Sequence, residues 1–172
     1  MNDISKFTNT SDYLPILNGS IAADLVVLFI VYYTRFFNSR ELMKYYETYR
    51  LGAVLADVLI LVIGMIIARY LYSSIFSSWN ILYFTGLVVV IQVIHDILFY
   101  NFFKSVPRGV NYFLDMFKDY AKEVSAGAIL GDSFMIIIAT LLSSYFAGFD
   151  VNTNVILLVV LTYLIPYLLY TR

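Results

Sequence analysis

Long apolar runs separated by short polar stretches dominate this chain. Five stand out, over residues 21–37, 51–72, 81–103, 124–146 and 155–170. Crossing ~30 Å of hydrocarbon takes a helix of ~20 residues, and each run is near that length. None alternates apolar with polar positions, so the runs predict helices rather than barrel strands. The first and last are shortest and need local bilayer thinning or polar flanks that reach outward. Residues 1–20 read as a polar tail. They lack a basic stretch followed by an apolar core, so no cleavable signal peptide is expected and the first span serves as its own insertion signal. The expected fold is all-α: a tail over 1–20 and a polytopic domain over 21–172, built as a bundle of about five transmembrane helices.

The polar connections carry their own patterning. After the turn Pro107-Arg108-Gly109, Val110, Phe113, Phe117, Tyr120 and Val124 recur at helical spacing, with Asp115, Lys118, Asp119 and Lys122 between them. This predicts an amphipathic helix on the membrane interface between spans 3 and 4. Residues 38–49 show a shorter version, with Glu41, Lys44 and Glu47 as the solvated face. Neither an internal repeat nor a low-complexity tract stands out.

Charge then orients the bundle. Arg35, Arg40, Lys44, Arg50, Lys104, Arg108, Lys118, Lys122 and Arg172 fall on one side, against Lys6 and Arg69 on the other. Basic loops stay cytosolic, so the N-terminus is expected outside and the C-terminus on the cytosolic side. Tyr32, Tyr33, Phe36, Phe37, Tyr70, Tyr72, Trp79, Tyr100, Phe102, Phe103, Tyr167 and Tyr170 gather at segment ends, as headgroup-level anchors do. Sequons occur at Asn9 and Asn18; Asn18 lies too near the membrane for modification.

Composition narrows the function classes. Of 172 residues, 61% are apolar and 13% charged, with a mean hydropathy of +0.80, which makes lipid the solvent and the bilayer the first partner. A net charge of −1 gives no field for nucleic acid. Without cysteine there is no disulfide, thiolate metal site or cysteine nucleophile. The single histidine, His95, excludes histidine-box metalloenzymes. No cofactor is expected and no metal is specified.

Chemistry concentrates in carboxylates inside the spans: Asp24, Asp57, Asp96 and Asp132. An ionised group at the bilayer centre costs from ~3 kcal/mol upward, so such residues face the protein interior or a wet cavity. Counted along their spans, Asp57, Asp96 and Asp132 lie roughly 9–12 Å below the basic-side interface, with His95 at their level. Asp24 is expected in the opposite leaflet. Gln92, His95 and Asp96 share one stripe. Ala53, Asp57, Gly64 and Ala68 share another, and Ala128, Asp132, Ala139 and Ser143 a third, with Gly127 and Gly131 in GxxxG spacing for close helix packing. One reading is a structural hydrogen-bonded cluster, with Arg50 or Lys104 reaching inward to pair with it. The other is a proton- or cation-binding site at Asp57, Gln92, His95, Asp96 and Asp132, in a homo-oligomer where one chain is too small for a pore. An intramembrane aspartyl protease is the remote alternative, because Leu130-Gly131-Asp132 lacks the first glycine of GxGD. Ser133 and Ser143 carry no hydrolase context, and no span holds a lysine for retinal.

Tyr49-Arg50-Leu51-Gly52-Ala53-Val54-Leu55-Ala56-Asp57, His95-Asp96-Ile97-Leu98-Phe99-Tyr100, Pro107-Arg108-Gly109, Phe117-Lys118-Asp119-Tyr120-Ala121-Lys122-Glu123, Leu130-Gly131-Asp132-Ser133 and residues 163–170 together carry a resemblance. The chain resembles uncharacterised multi-span membrane proteins of giant viruses (nucleocytoplasmic large DNA viruses) over roughly residues 40–170. That resemblance implies a viral integral membrane protein of a virion or host membrane, with a structural, assembly or membrane-remodelling role beside capsid or membrane-protein partners. It brings no enzymatic activity and no site residues.

Overall fold

The computed structural model describes residues 1–34, 39–125 and 127–170. Among them all regular structure is helical. A 3-10 turn, Thr10–Asp12, leads into α1 (Tyr13–Tyr33); α2 (Arg40–Tyr49), α3 (Leu51–Ile75), α4 (Ile81–Ser105), α5 (Tyr112–Val124), α6 (Gly127–Phe146) and α7 (Val151–Tyr170) follow. Five of these, α1, α3, α4, α6 and α7, are long and apolar enough to cross a membrane. The protein is an integral membrane helical bundle. Arg35, Phe36, Phe37 and Arg172, which entered the charge and aromatic patterns, lie outside the described residues.

The two short amphipathic helices are present, and polar caps start them. Ser39 Oγ accepts from Leu42 N at 3.0 Å, and Asn111 Oδ1 accepts from Phe113 N at 2.9 Å. α2 and α5 lie against each other at the end of the bundle where α1 and α4 finish and α3 and α6 begin. The residue that follows each of these two helices has a positive φ, Arg50 at 46° and Ser125 at 48°.

The start of the first span corrects the expected boundary at residue 21. α1 begins at Tyr13, and Asn18, Gly19 and Ser20 are helical and buried rather than part of a polar tail. Their polarity is spent inside the bundle. Asn18 Nδ2 donates to the Asn154 carbonyl at 2.9 Å and to its Oδ1 at 3.1 Å; Ser20 Oγ donates to the Ile16 carbonyl at 2.9 Å. A buried Asn18 cannot accept a glycan in this fold. The preceding segment also packs down: Ile4 is fully buried, and Ser144 Oγ donates to the Asn2 carbonyl at 2.7 Å.

Glycine packing differs as well. A Cβ at Gly64 would have nothing within 4 Å, and one at Gly127 would meet Val124 at the end of α5 only at ordinary van der Waals distance, 3.9 Å, so neither is a tight contact between spans. The tight approach is at Gly19, where a Cβ would collide with Ser143 Oγ and stand 2.6 Å from Ser143 N and 2.8 Å from the Ala139 carbonyl. α1 therefore packs most closely on α6, with the glycine on α1 and small residues on α6.

Candidate functional site

Beneath α2 and α5 lies a cavity of about 550 Å³. Its walls are mostly apolar, from Val27 on α1, Leu42 on α2, Met116, Phe117 and Val124 on α5, and Leu130, Phe134 and Met135 on α6. Its polar groups are Ser39, Tyr45, Tyr46, Asp57, Tyr120 and Asp132. Two of the predicted carboxylates, one from α3 and one from α6, thus line a single space. Gly127 and Gly131 line it too.

Asp57 is held by two phenols. Tyr45 donates to Oδ1 at 3.0 Å and Tyr46 to Oδ2 at 2.8 Å. Both tyrosines come from the interfacial helix, one after the other in sequence. Tyr45 stays in place through its ring, which packs on Phe113 and Phe117 of α5 at 6.0 and 5.6 Å between centroids. Burial and then the negative charge of Asp57 push the Tyr45 hydroxyl far above its usual range, and Tyr46 moves the same way for the same reasons. Both are neutral donors at any physiological pH.

Asp24 joins this network, against expectation. Its Oδ1 lies 3.3 Å from the Tyr46 hydroxyl, and the side chain is fully buried. α1 starts earlier than hydropathy suggested and ends at Tyr33, which carries Asp24 to the same level as Asp96. The geometry also counts protons. A phenol has one hydrogen to give. With that hydrogen on Asp57, the contact to Asp24 needs a proton on the Asp24 carboxyl, donated to the Tyr46 oxygen. Asp24 Oδ2 is buried without a donor from the described residues, and the Asp57 carboxylate beside Asp24 is a second acceptor for its proton.

Gln92, His95 and Asp96 form a second, local group on α4. Gln92 Nε2 donates to Asp96 Oδ1 at 2.7 Å, and His95 Nδ1 stands 3.3 Å from the same oxygen. Asp96 Oδ2 is buried and unpartnered. None of the three lines the cavity. The His95 side chain is 38% exposed and stacks on Phe99, so it faces outward more than the shared stripe suggested. Asp132 lies within electrostatic reach of both Asp96 and Asp57, and Tyr120 within reach of all three carboxylates. Asp24 thus stands with Asp57, and Asp132 between the influence of Asp57 and that of Asp96.

No family model, curated protein or solved structure matches this chain.

Arg50 and Lys104 do not neutralise the layer. Each turns to an aromatic face instead, Arg50 over Tyr170 at 4.9 Å and Lys104 over Tyr100 at 5.4 Å. A carboxylate clasp closes the cavity's roof. Glu123 Oε1 accepts from Arg40 N at 2.8 Å, and Oε2 accepts from Ser39 Oγ at 2.8 Å and Glu41 N at 2.9 Å. The end of α5 thereby caps the start of α2, where helix N–H groups are unsatisfied and a negative charge is favoured. Sequence reasoning passed over Tyr45, Tyr46, Tyr120 and Glu123 as site residues. The tyrosines' helical spacing on amphipathic segments was the available signal for an inward aim.

Among the described residues, no group of histidine, cysteine, aspartate and glutamate side chains is arranged to hold a metal ion.

Proposed function

We propose that this protein is a small membrane transporter that takes its substrate into the cavity beneath α2 and α5 and handles protons or cations at Asp57 and Asp132. One observation carries the reading: an open space reaches the intramembrane carboxylates. A purely structural cluster would be dry, with every acid paired. Here Asp132 borders the cavity and accepts no hydrogen bond from the described residues. Unpaired acids in a bilayer mark ion and proton pathways because burying them without a purpose is costly. The basic residues of α2 and α5 favour the cavity end as the cytosolic one, with a virion or host membrane as the location the viral resemblance would add.

The test is flux in proteoliposomes carrying the full chain and an internal pH-sensitive dye. Asp57→Asn and Asp132→Asn are expected to lower cation-driven proton flux at least tenfold each. Equal, negligible flux in wild type and both variants removes the transport reading. It then leaves the assembly role, which in turn needs the protein to be found in purified particles or replication membranes.

A further inference from the structure

The two interfacial helices and the spans that follow them repeat each other, although no repeat stands out along the sequence. Tyr45, Arg50, Gly52, Ala53, Val54, Leu55 and Asp57 correspond in register to Tyr120, Ser125, Gly127, Ala128, Ile129, Leu130 and Asp132. The backbone repeats too: Arg50 (φ 46°, ψ −118°) and Ser125 (φ 48°, ψ −126°) take the same conformation directly after α2 and α5. Burial follows the register into the membrane. Leu61, Gly64, Met65, Ala68 and Arg69 are buried, and so are their counterparts Ile136, Ala139, Thr140, Ser143 and Ser144. Leu55 and Leu130 are both exposed, as are Leu59 and Phe134.

The preceding spans match as well. Asp24 and Asp96 stand equally far from the last residues of their helices, Tyr33 and Ser105. In that register the buried Ile16, Ser20 and Val31 of α1 meet the buried Val88, Gln92 and Phe103 of α4. Packing obeys the same rule: α1 rests on α3 within its own half and on α6 of the other, while α4 rests on α6 within its half and on α3 of the other. α2 meets α5 across the middle. The halves α1–α3 and α4–α6 run the same way across the membrane, so a pseudo-twofold axis along the membrane normal relates them. α7 packs on α1 and has no counterpart on α4.

The cavity takes lining from both halves, with Asp57 and Tyr45 from one and Asp132 and Tyr120 from the other. Interfaces between repeats are where transporters of duplicated architecture place their substrate sites. At about 550 Å³ the space is the size of a small-molecule pocket and far larger than a bare ion needs. Apolar walls suit a hydrocarbon body. Two carboxylates and a set of aromatic rings suit an ammonium group.

We propose that the cavity is a single binding site shared by two duplicated halves, taking an organic amine with an apolar body whose ammonium group sits between Asp57 and Asp132. This rests on the transport reading of the same cavity and supplies its substrate class. Equivalence of the two halves makes it testable. The experiment is equilibrium dialysis of hexylamine against the full chain in phosphatidylcholine nanodiscs, with empty nanodiscs subtracted and hexanol as the uncharged control.

Saturable hexylamine uptake is expected in wild type, about tenfold weaker in Asp57→Asn and similarly in Asp132→Asn, and abolished in the double variant. Hexanol uptake should not distinguish the variants. Met116→Trp, which fills the cavity and leaves both carboxylates intact, should reduce hexylamine uptake and serves if a carboxylate variant fails to fold. Absence of saturable uptake in wild type, or a large loss from one Asp→Asn and none from the other, overturns the shared site. Competition from phosphatidylethanolamine placed in the nanodiscs would identify a lipid headgroup as the amine's source. Persistence of uptake there identifies a dissolved amine; both results uphold the site. Proton flux that needs both carboxylates without hexylamine binding defeats the substrate assignment and spares transport. Binding without flux does the reverse.

Discussion

The two ends of this bundle surround their polar groups differently. At the end under α2 and α5, carboxylates border an open cavity, and Asp24 and Asp96 each keep one oxygen without a protein partner. At the other end the chain is sealed. Arg69 is fully buried on α3 and spends Nη2 on Asp12 Oδ2 at 3.0 Å, the Asn9 carbonyl at 2.7 Å and the Lys6 carbonyl, with its guanidinium 4.8 Å over the Tyr13 ring. Asn18, Asn154, Ser143 and Ser144 bond across α1, α6, α7 and the N-terminal segment. One end is a plug and the other a vestibule. The difference lies in what fills the space: the plug sets its buried cation Arg69 against Asp12, although Arg69 Nε and Nη1 and Asn18 Oδ1 keep no hydrogen-bond partner among the described residues, whereas at the other end Asp57 and Asp132 border a cavity.

Removing the plug's charge balance should have the largest effect. Asp12→Asn leaves Arg69 as an uncompensated buried cation, which costs about 3–5 kcal/mol in buried ion pairs. A large fall in melting temperature in detergent micelles is the expected result, and an unchanged melting temperature would show that the seal does not depend on the pair. Next comes the steric seal. Gly19→Val drives a side chain into Ser143 and the Ala139 carbonyl and should destabilise by about 1–3 kcal/mol. Gly64→Ala, with open space at its Cβ, should be close to neutral in the same measurement. Equal losses at the two glycines would contradict the packing of α1 on α6.

The smallest effect belongs to the vestibule roof. Burial raises the Glu123 carboxyl, but donors from Glu41, Arg40 and Ser39 outweigh it, and its net displacement is below the usual glutamate range. A depressed folded value means the clasp contributes above glutamate's ordinary pKa and is lost as pH falls through the lowered one. The chain has no cysteine, so a single Leu42→Cys reports cleanly on the roof. Its labelling by a water-soluble maleimide, relative to the same reaction at an exposed Tyr112→Cys, should rise a few-fold with Glu123→Gln at neutral pH. Acidification should raise the ratio in the parent chain, and less so in Glu123→Gln. A ratio unmoved by either change separates the clasp from the roof.

Hydropathy alone made the five spans and the interfacial helix between spans 3 and 4 legible, because lipid imposes length and apolarity on every crossing segment. It failed where polar residues are satisfied by protein. Asn18, Gly19 and Ser20 lower the local average and look like tail, yet their partners lie on α6 and α7, far away in sequence. That error moved Asp24 to the wrong level and hid it from the acid layer. Spacing of small residues pointed to Gly64 and Gly127, but close approach depends on which helix stands opposite, and spacing does not record it. Arg69 entered only as a basic residue of the outer face, because its acceptors come from the folded N-terminal segment, far away in sequence. The duplication escaped notice because Arg50 and Ser125 share backbone geometry rather than chemistry, and apolar side chains within spans interchange freely.

The phenol that bridges Asp24 and Asp57 does not belong to the bundle at all; Tyr46 sits on a segment lying along the membrane surface. Anything docking there and lifting that segment would withdraw the hydroxyl that stands between the two acids. A signal arriving at headgroup depth would then change protonation in the hydrocarbon layer while every crossing helix stayed where it was.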